Sequence, residues 1–579
     1  MNVLKYDVPD PPLNTFRRNQ PWIAGCCPVL SIDNYSIKVD QVVNNKHKFS
    51  TSFVDNDRSR WRFGDGPHLP GPIPNAPMAG DVLQATPGKI VRFAEDWTIS
   101  PTVVNHFAYG YNRFRNAYLS TSYLSGEDWA SLLGLENVGS ATFPVIRWQG
   151  YDSTLGSGLY PMMGSGGTGD SPNGSNIISD DLTWIRGSHS FRFGFEHRRY
   201  YGNHRSVENT GRYDFSNENT ALPGYRRHTG FTYASFLLGV ARSTNLSIPL
   251  VTAGNRSRVT SFYVQDDWKA RRNLTLNFGL RWDIPTAITE VCQRQSGLDP
   301  AMPNPGADGY PGAMVMLGDC QGCNGKGRFA DPYYKQLAPR IGFAWTPDTS
   351  NKMVIRGGYG INFAPPLEDF GWFNYQSGFN GSNPINAYTN SRFLEDPSYI
   401  WDNPYPPFSE QLPNPDPALM NGLNIGWYMP GLSRYPYVQN WNFGIQYELP
   451  WQVKVEANYV GNRGLRLNES NYSWTLNQVD PQYLSLGDAL LDDINDHPEI
   501  PKPYPGFEGS VGQALRPFPQ YYGVSSHRLN GGFSTYHALQ VTVTKRSSYG
   551  LSLLAAYTFG KALATADAAT WSYYDYGQD

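Results

Sequence analysis

The stretch Ser261 to Pro285 limits the fold more than any other part of the chain. It runs Ser261-Phe262-Tyr263-Val264-Gln265-Asp266-Asp267-Trp268, passes Lys269-Ala270-Arg271-Arg272, and returns from Asn273. On the return, Leu274, Leu276, Phe278, Leu280 and Trp282 take every other place, and Thr275, Asn277, Gly279, Arg281 and Asp283 fill the alternates. Side chains on a strand point to opposite faces with period 2, so one face is apolar and the other polar. A typical globular strand is about 5–6 residues long, and this arm is longer. A tilted strand needs about 9–11 residues to cross a bilayer. A long hairpin with an apolar outside and a polar, small-residue inside fits the wall of an outer-membrane barrel.

The same design recurs. Tyr35–Val43 faces His47–Asp55, Lys89–Ile99 faces Val103–Asn116, and Asn176–Ile185 faces Ser190–Tyr201. Pro339–Thr346 faces Met353–Phe363, Val438–Glu448 faces Val453–Leu467, and Tyr536–Lys545 faces Leu551–Lys561. Each turn carries Gly, Pro, Asn, Asp or Ser, the residues that tight turns require. The expected fold class is all-β, an antiparallel transmembrane β-barrel with about 14–16 strands present. The segment Phe231–Val251 adds further strands or is a loop excursion. Between hairpins lie long connections rich in Pro, Gly, Asn and aromatics. Short turns alternating with long loops are the asymmetry of bacterial outer-membrane barrels. A compact soluble domain rarely carries several loops beyond about 15 residues.

Composition agrees. Aromatics make up 14% and charged residues 17% of the 579 residues, with 58 Gly and 45 Pro. The net charge of −3 gives no nucleic-acid footprint. No run of about 18 apolar residues occurs, which argues against spanning helices and says nothing about a barrel. Met1 is followed by Asn-Val-Leu-Lys-Tyr-Asp-Val-Pro-Asp-Pro-Pro, without an apolar h-region. A barrel wall without an export signal is expected to be a fragment of a longer protein. The expected division is an irregular segment over 1–33 and a partial barrel over 34–579.

The wording of the strands is similar to the barrel of Oar-like TonB-dependent receptors. The likeness rests on Phe262 to Lys269 with Leu274 to Trp282, on Ala338-Pro339-Arg340-Ile341-Gly342-Phe343-Ala344-Trp345, and on Ile355-Arg356-Gly357-Gly358-Tyr359-Gly360. It continues through Gln439-Asn440-Trp441-Asn442-Phe443-Gly444-Ile445-Gln446, Tyr459-Val460-Gly461-Asn462-Arg463-Gly464, Tyr536-His537-Ala538-Leu539-Gln540 and Ala556-Tyr557-Thr558-Phe559-Gly560-Lys561. The resemblance implies an outer-membrane receptor or transporter in a Gram-negative-type bacterium, with the strands here a part of a barrel of the 22-strand type. It implies that an extracellular solute binds at the loops. It also implies coupling to the TonB system through a plug not in this chain, and outer-membrane lipid as surroundings. No cofactor and no enzyme activity are expected. Two rival readings are a passive pore or adhesin, and a secreted soluble β-rich protein that binds or cleaves glycans.

Candidate residues follow. Arg192, Glu196 and Arg198 alternate against Phe191, Phe193 and Phe195, and Arg281 and Arg356 sit likewise. In a barrel these line the lumen and contact the plug or the solute path. Among the loop aromatics, Trp372, Phe373, Tyr375, Trp427 and Tyr428 stand near amides and are candidates to stack on a sugar or another bulky ligand. The alternative is that they fold the loops upon themselves or belong to the interfacial girdle. Trp97, Trp184, Trp268 and Trp282, near strand ends, read as interfacial girdle residues. Asp266 and Asp267 face opposite sides of one strand, either as a plug contact or as a solvated strand end. Cys292, Cys320 and Cys323 suggest a loop disulfide, Cys292 with Cys320 or Cys323. Cys320-Gln-Gly-Cys323 lacks the second ligand pair of a metal site. The glycine run Gly164-Ser165-Gly166-Gly167-Thr168-Gly169 lacks the strand before and helix after that phosphate binding requires, and reads as loop.

Overall fold

A computed structural model describes residues 30–62, 82–148, 163–164, 168–207, 210–222, 225, 228–248, 252–320, 323–347, 352–364, 376–386, 399–407, 412–428, 434–469, 474–526, 529–548 and 550–565. One sheet of sixteen strands carries the chain. Its strands are β1 (Leu30–Val42), β2 (His47–Arg62), β3 (Val82–Ala85), β4 (Gly88–Ser100) and β5 (Val103–Ser120). Then come β6 (Gly169–Arg186), β7 (His189–Ser206), β8 (Ala253–Arg271), β9 (Leu274–Pro285) and β10 (Gln336–Trp345). The series ends with β11 (Met353–Phe363), β12 (Tyr437–Leu449), β13 (Val453–Glu469), β14 (Leu529–Ser548) and β15 (Leu551–Ala564). Successive strands pair antiparallel, and the two-residue strand Thr289–Glu290 adds to the start of β8. β3 and β4 are one wall strand, flanked along both parts by β2 and β5. The break falls at Pro87, which has no N–H to give the ladder.

All seven hairpins expected from alternation form, with the expected turns between their arms. In the first turn the Asn44 side-chain oxygen accepts from the Lys46 and His47 N–H groups at 2.8 and 3.0 Å. Gly187 at φ 60° turns β6 into β7, a conformation glycine adopts without steric cost.

The sheet has a sharp division of faces. Phe262 lies opposite Trp282 and Phe195, and Val264 opposite Leu280 and Phe193. All of these but Phe195 are exposed, and Phe278 and Leu280 are each 44% accessible. On the other face Asp283 is buried and Ser261 nearly sealed. A soluble sheet buries its apolar face. This one bares it, and a bared apolar band needs a nonaqueous neighbour. No helix among the described residues is long and apolar enough to cross a membrane.

The packed cores lie in the loops. A first lobe combines three connections. Val145–Trp148, Arg212–Phe215, Ser243–Ile248 and Gly381–Asn386 form a four-stranded sheet. Over it pack Phe143, Ile146, Tyr213, Phe215, Phe236 and Trp401, all sealed from solvent. Phe231–Val251 is therefore a loop excursion: it supplies the helix Thr232–Leu237 and a strand to this lobe and none to the wall. A second lobe holds the hairpin Ser296–Asn304 with Tyr310–Met316, and closes Leu298, Met314, Met316, Ile425, Tyr521 and Val524. A small third core joins Ile494, Phe507, Val511 and Ala514. The connection between β11 and β12 serves two lobes: Tyr399, Trp401 and Tyr405 enter the first, Ile425 and Trp427 the second.

Candidate functional site

The polar face of β7, β8 and β9 gathers a continuous charge network. Period-2 alternation puts Glu196, Arg198, Ser261, Tyr263, Arg281 and Asp283 on one side. Glu196 uses both carboxylate oxygens: Arg281 Nη2 donates at 2.7 Å and Arg198 Nη2 at 2.9 Å. Arg281 Nε donates to Asp283 Oδ1 at 2.8 Å, and Ser261 Oγ donates to the same oxygen at 2.6 Å. Beside them the Tyr263 hydroxyl donates to Asp181. The Tyr263 ring lies over Gly194, where an added Cβ would come within 2.1 Å of it, so this position requires glycine.

Of the residues singled out in the sequence, Glu196 and Arg281 thus meet directly. Arg192 shares their face but pairs in register with Gln265 and Thr183, nearer the turn. Arg356 forms a separate cluster, bonded to Glu456, which Lys454 Nζ also approaches at 3.3 Å. Arg340 was not singled out. It sits on β10, and its Nη2 donates to Asn362 Oδ1 at 2.8 Å. The signal that finds it is the same alternation, with Arg340 between Pro339 and Ile341 in a run, Leu337 to Trp345, of otherwise apolar and small residues.

The loop candidates are placed as follows. Trp372, Phe373 and Tyr375 lie outside the described residues. Trp427 packs in the second lobe, edge-on to Phe518 at 6.4 Å. Tyr428 is buried and stacks on Phe329 at 5.1 Å. Both therefore hold loops together. The disulfide pairing needs correction: Cys320 bonds Cys323, and Cys292 is free and exposed. The reason is local. The Cys323 N–H donates to the Cys320 carbonyl at 3.0 Å, and this tight turn sets the two Cα atoms 5.0 Å apart. Gly169 opens β6 directly, so no helix follows the glycine run. Among the described residues no group of three or more His, Cys, Asp or Glu could hold a metal ion.

Electrostatics in the loops follow burial. Burial, together with the nearby Tyr405 and Asp402, pushes Tyr399 up to about 12. Burial also raises Tyr213 well above its ordinary value and raises Tyr405. Glu290 is fully buried beside the start of β8. Burial pushes its carboxyl up. N–H groups of Arg294, Gly254 and Cys292 and the Arg294 guanidinium outweigh that and hold it below the usual carboxylate range.

A family model described as an outer membrane beta barrel domain matches residues 13–579. The chain belongs to that family. The outer membrane beta barrel resembles three solved structures in fold. The outer membrane transporter YddB from Escherichia coli is 11% identical, with TM-score 0.48, over 92% of this chain and 48% of that one. The siderophore receptor PiuA from Acinetobacter baumannii is 9% identical, with TM-score 0.41, over 93% and 57%. The FrpB iron transporter from Neisseria meningitidis is 10% identical, with TM-score 0.40, over 92% and 52%. The barrel chain spans about half the length of these structures. No curated protein matches it.

Membership of the family settles the environment. The outer membrane beta barrel lies in the outer membrane of Gram-negative bacteria, so its apolar face meets lipid and its polar face the lumen. Trp97, Trp184 and Trp268 stand beside the turns. His47 stacks on Trp97 at 5.6 Å and bonds Glu95 at 2.7 Å. The arrangement repeats two hairpins later, where His189 is stacked between Phe191 and Trp268 at 5.4 and 5.3 Å and bonds Asp266 at 2.7 Å. Asp266 is thus a lipid-side rim group held through one oxygen by histidine. Asp267 faces inward and accepts from Asn277 Nδ2 at 2.6 Å. At the far end of β9, Trp282 donates to the Tyr334 carbonyl at 2.7 Å. Leu276, opposite Trp268, lies six residues before Trp282, about 20 Å along a strand. Aromatic girdles flank an apolar band about 25 Å tall in such barrels.

Proposed function

We propose that this chain is the barrel portion of an Oar-like, TonB-dependent receptor that binds an extracellular solute at its loops and passes it inward. The observation that carries the reading is the combination of two built regions in one barrel. The loops fold into lobes with sealed cores, which gives a rigid outer surface for recognition. The lumen wall carries a hydrogen-bonded charge network, which suits a polar path or a plug bound against it. A plug and the TonB system are the partners this reading requires, both outside this chain. Trp372, Phe373 and Tyr375 remain its candidates for ligand contact.

The test is uptake. Cells lacking the gene are compared with parent cells for accumulation of a panel of scarce labelled solutes, with and without collapse of the inner-membrane proton gradient. The expected result is loss of one solute's uptake, dependent on the gradient. Loss that ignores the gradient would put a passive pore in its place. No loss for any solute would sink the reading.

A further inference from the structure

We propose that a cleft in the lumen wall, between β9, β10 and β11, is an anion subsite that takes a carboxylate or phosphate group of the transported solute. This rests on the uptake reading above and names the chemistry of its substrate. The cleft measures about 170 Å³ and is lined by Arg198, Arg281, Asp283, Arg340, Asn362 and Tyr435, with apolar side chains between them.

The charge count favours an anion. Three guanidiniums meet there, and the two carboxylates of the network are already engaged. Both oxygens of Glu196 hold Arg198 and Arg281. Asp283 holds Arg281 and Ser261 through one oxygen. Arg340 has no carboxylate within ion-pair distance among the described residues, and its hydrogen bond to Asn362 engages one of its five N–H donors. Arg198 Nε is buried without a hydrogen-bond partner. The buried Arg198 N–H is costly until an acceptor reaches it, and the exposed Arg340 charge in the same cleft draws an anion there. Guanidiniums recognise carboxylate and phosphate through paired donors.

Size and floor agree. The cleft is well above the roughly 10–15 Å³ that a single water needs on the same measure, so an anionic head group fits in it. Arg340 lies in register with Gly279 on β9 and Gly360 on β11. A Cβ at Gly279 or Gly360 would make only ordinary contacts, at 3.6 and 3.4 Å. Wall packing therefore does not require glycine at either place. The bare backbone on both sides of Arg340 leaves its charge open to the lumen. Elsewhere on the lumen face Arg356 is matched by Glu456 and Lys38 by Asp40, whereas the three guanidiniums of the cleft share two carboxylates.

The test uses the full chain, folded in detergent as judged by a heat-shifted band, with inorganic phosphate as probe in calorimetric titration. Wild type is expected to bind saturably. Arg340→Gln is expected to weaken binding about tenfold or more, the loss of one charge-assisted contact. Gly360→Leu, which keeps the charge and fills the floor, is expected to weaken it also. Lys38→Gln is expected to leave it unchanged. Equal affinity in wild type and Arg340→Gln, equal losses in Arg340→Gln and Lys38→Gln, or no saturable binding overturns the subsite. So does binding to native outer membranes that appears only after urea extraction of the lumen, because a protein carboxylate is then the occupant. If phosphate binding ignores Arg340 while gene deletion still abolishes uptake, the subsite falls and the uptake reading stands. If Arg340→Gln abolishes binding while deletion affects no solute, the uptake reading falls instead.

Discussion

The wall and the loop lobes are built by opposite rules. The wall takes its order from neighbours one turn away, shows its apolar side chains outward, and keeps charge inside. The lobes take theirs from residues in different connections and hide their aromatics in dry cores. In the wall, Phe262, Phe278 and Trp282 are exposed and Asp283 is buried. In the first lobe, Tyr213, Phe236 and Trp401 are sealed and Arg147 and Arg212 are half-exposed around Asp214. The same side-chain chemistry therefore has inverted meaning on the two sides of the membrane surface. One chain satisfies both because its solvent changes along each strand.

The strongest way to break this comparison is Trp401→Ala. Removing a fully packed tryptophan costs about 3–5 kcal/mol. The loss should fall on the first lobe alone: limited proteolysis should cut the connections around 117–168 and 207–252 while the folded barrel band persists on unboiled gels. Loss of that band would mean that wall and lobe do not stand independently. The reciprocal change is Phe278→Arg, close to the middle of the lipid band. It should cost assembly about 2–4 kcal/mol, and Asn277→Arg, one residue away and facing the lumen, should be milder. Equal behaviour of the two in membrane insertion assays would void the assignment of faces.

This pair also marks what the sequence could and could not tell. Alternation from Leu274 to Trp282 needs only adjacent residues, so all seven hairpins were legible, and so was the common face of Glu196 and Arg281. The lobes have no period. Tyr213 meets Trp401 at 4.8 Å only because a third connection returns to it. Whether Trp427 and Tyr428 meet a ligand or fold the loops was open for the same reason, because their partners Phe518 and Phe329 lie in other loops. Cys292 was unreadable because three cysteines allow several pairings, and the tight turn at Cys320 chose one. Arg340 stands on the lumen side by the same alternation, but its lack of a carboxylate partner among the described residues is a fact of space that the sequence does not carry.

A smaller effect sharpens the boundary between the two regions. Glu290 ties the start of β8 to the loop beyond the Trp282 girdle. Glu290→Gln leaves buried N–H groups poorly matched, worth about 1–3 kcal/mol. Its carboxyl is held below the ordinary value in the folded state, so its contribution is present above the ordinary carboxylate range and is lost as pH falls through the folded value. Protease nicking of the 286–335 connection should therefore rise on acidification in wild type and be high and flatter with pH in the variant.

The smallest effect is silent at neutrality. Tyr399 is pushed up to about 12, above the ordinary tyrosine value of about 10. Its neutral form stabilises the first lobe fully below that ordinary value, and the contribution fades as pH rises toward the folded one. Tyrosine ultraviolet absorbance should show the lobe opening in that alkaline window, and Tyr399→Phe should delay it.

The double service of the β11–β12 connection also sets a timetable. Hairpins of the wall can close as soon as their own two arms exist, because their contacts are local. The first lobe cannot close until Tyr399 and Trp401 arrive, although Phe143, Tyr213 and Phe236 are synthesised long before. Contacts of such separation form slowly. During biogenesis the early strands therefore carry a half-built aromatic lobe that waits for its last contributor. The chain has to be kept from aggregating through that interval by something other than its own fold.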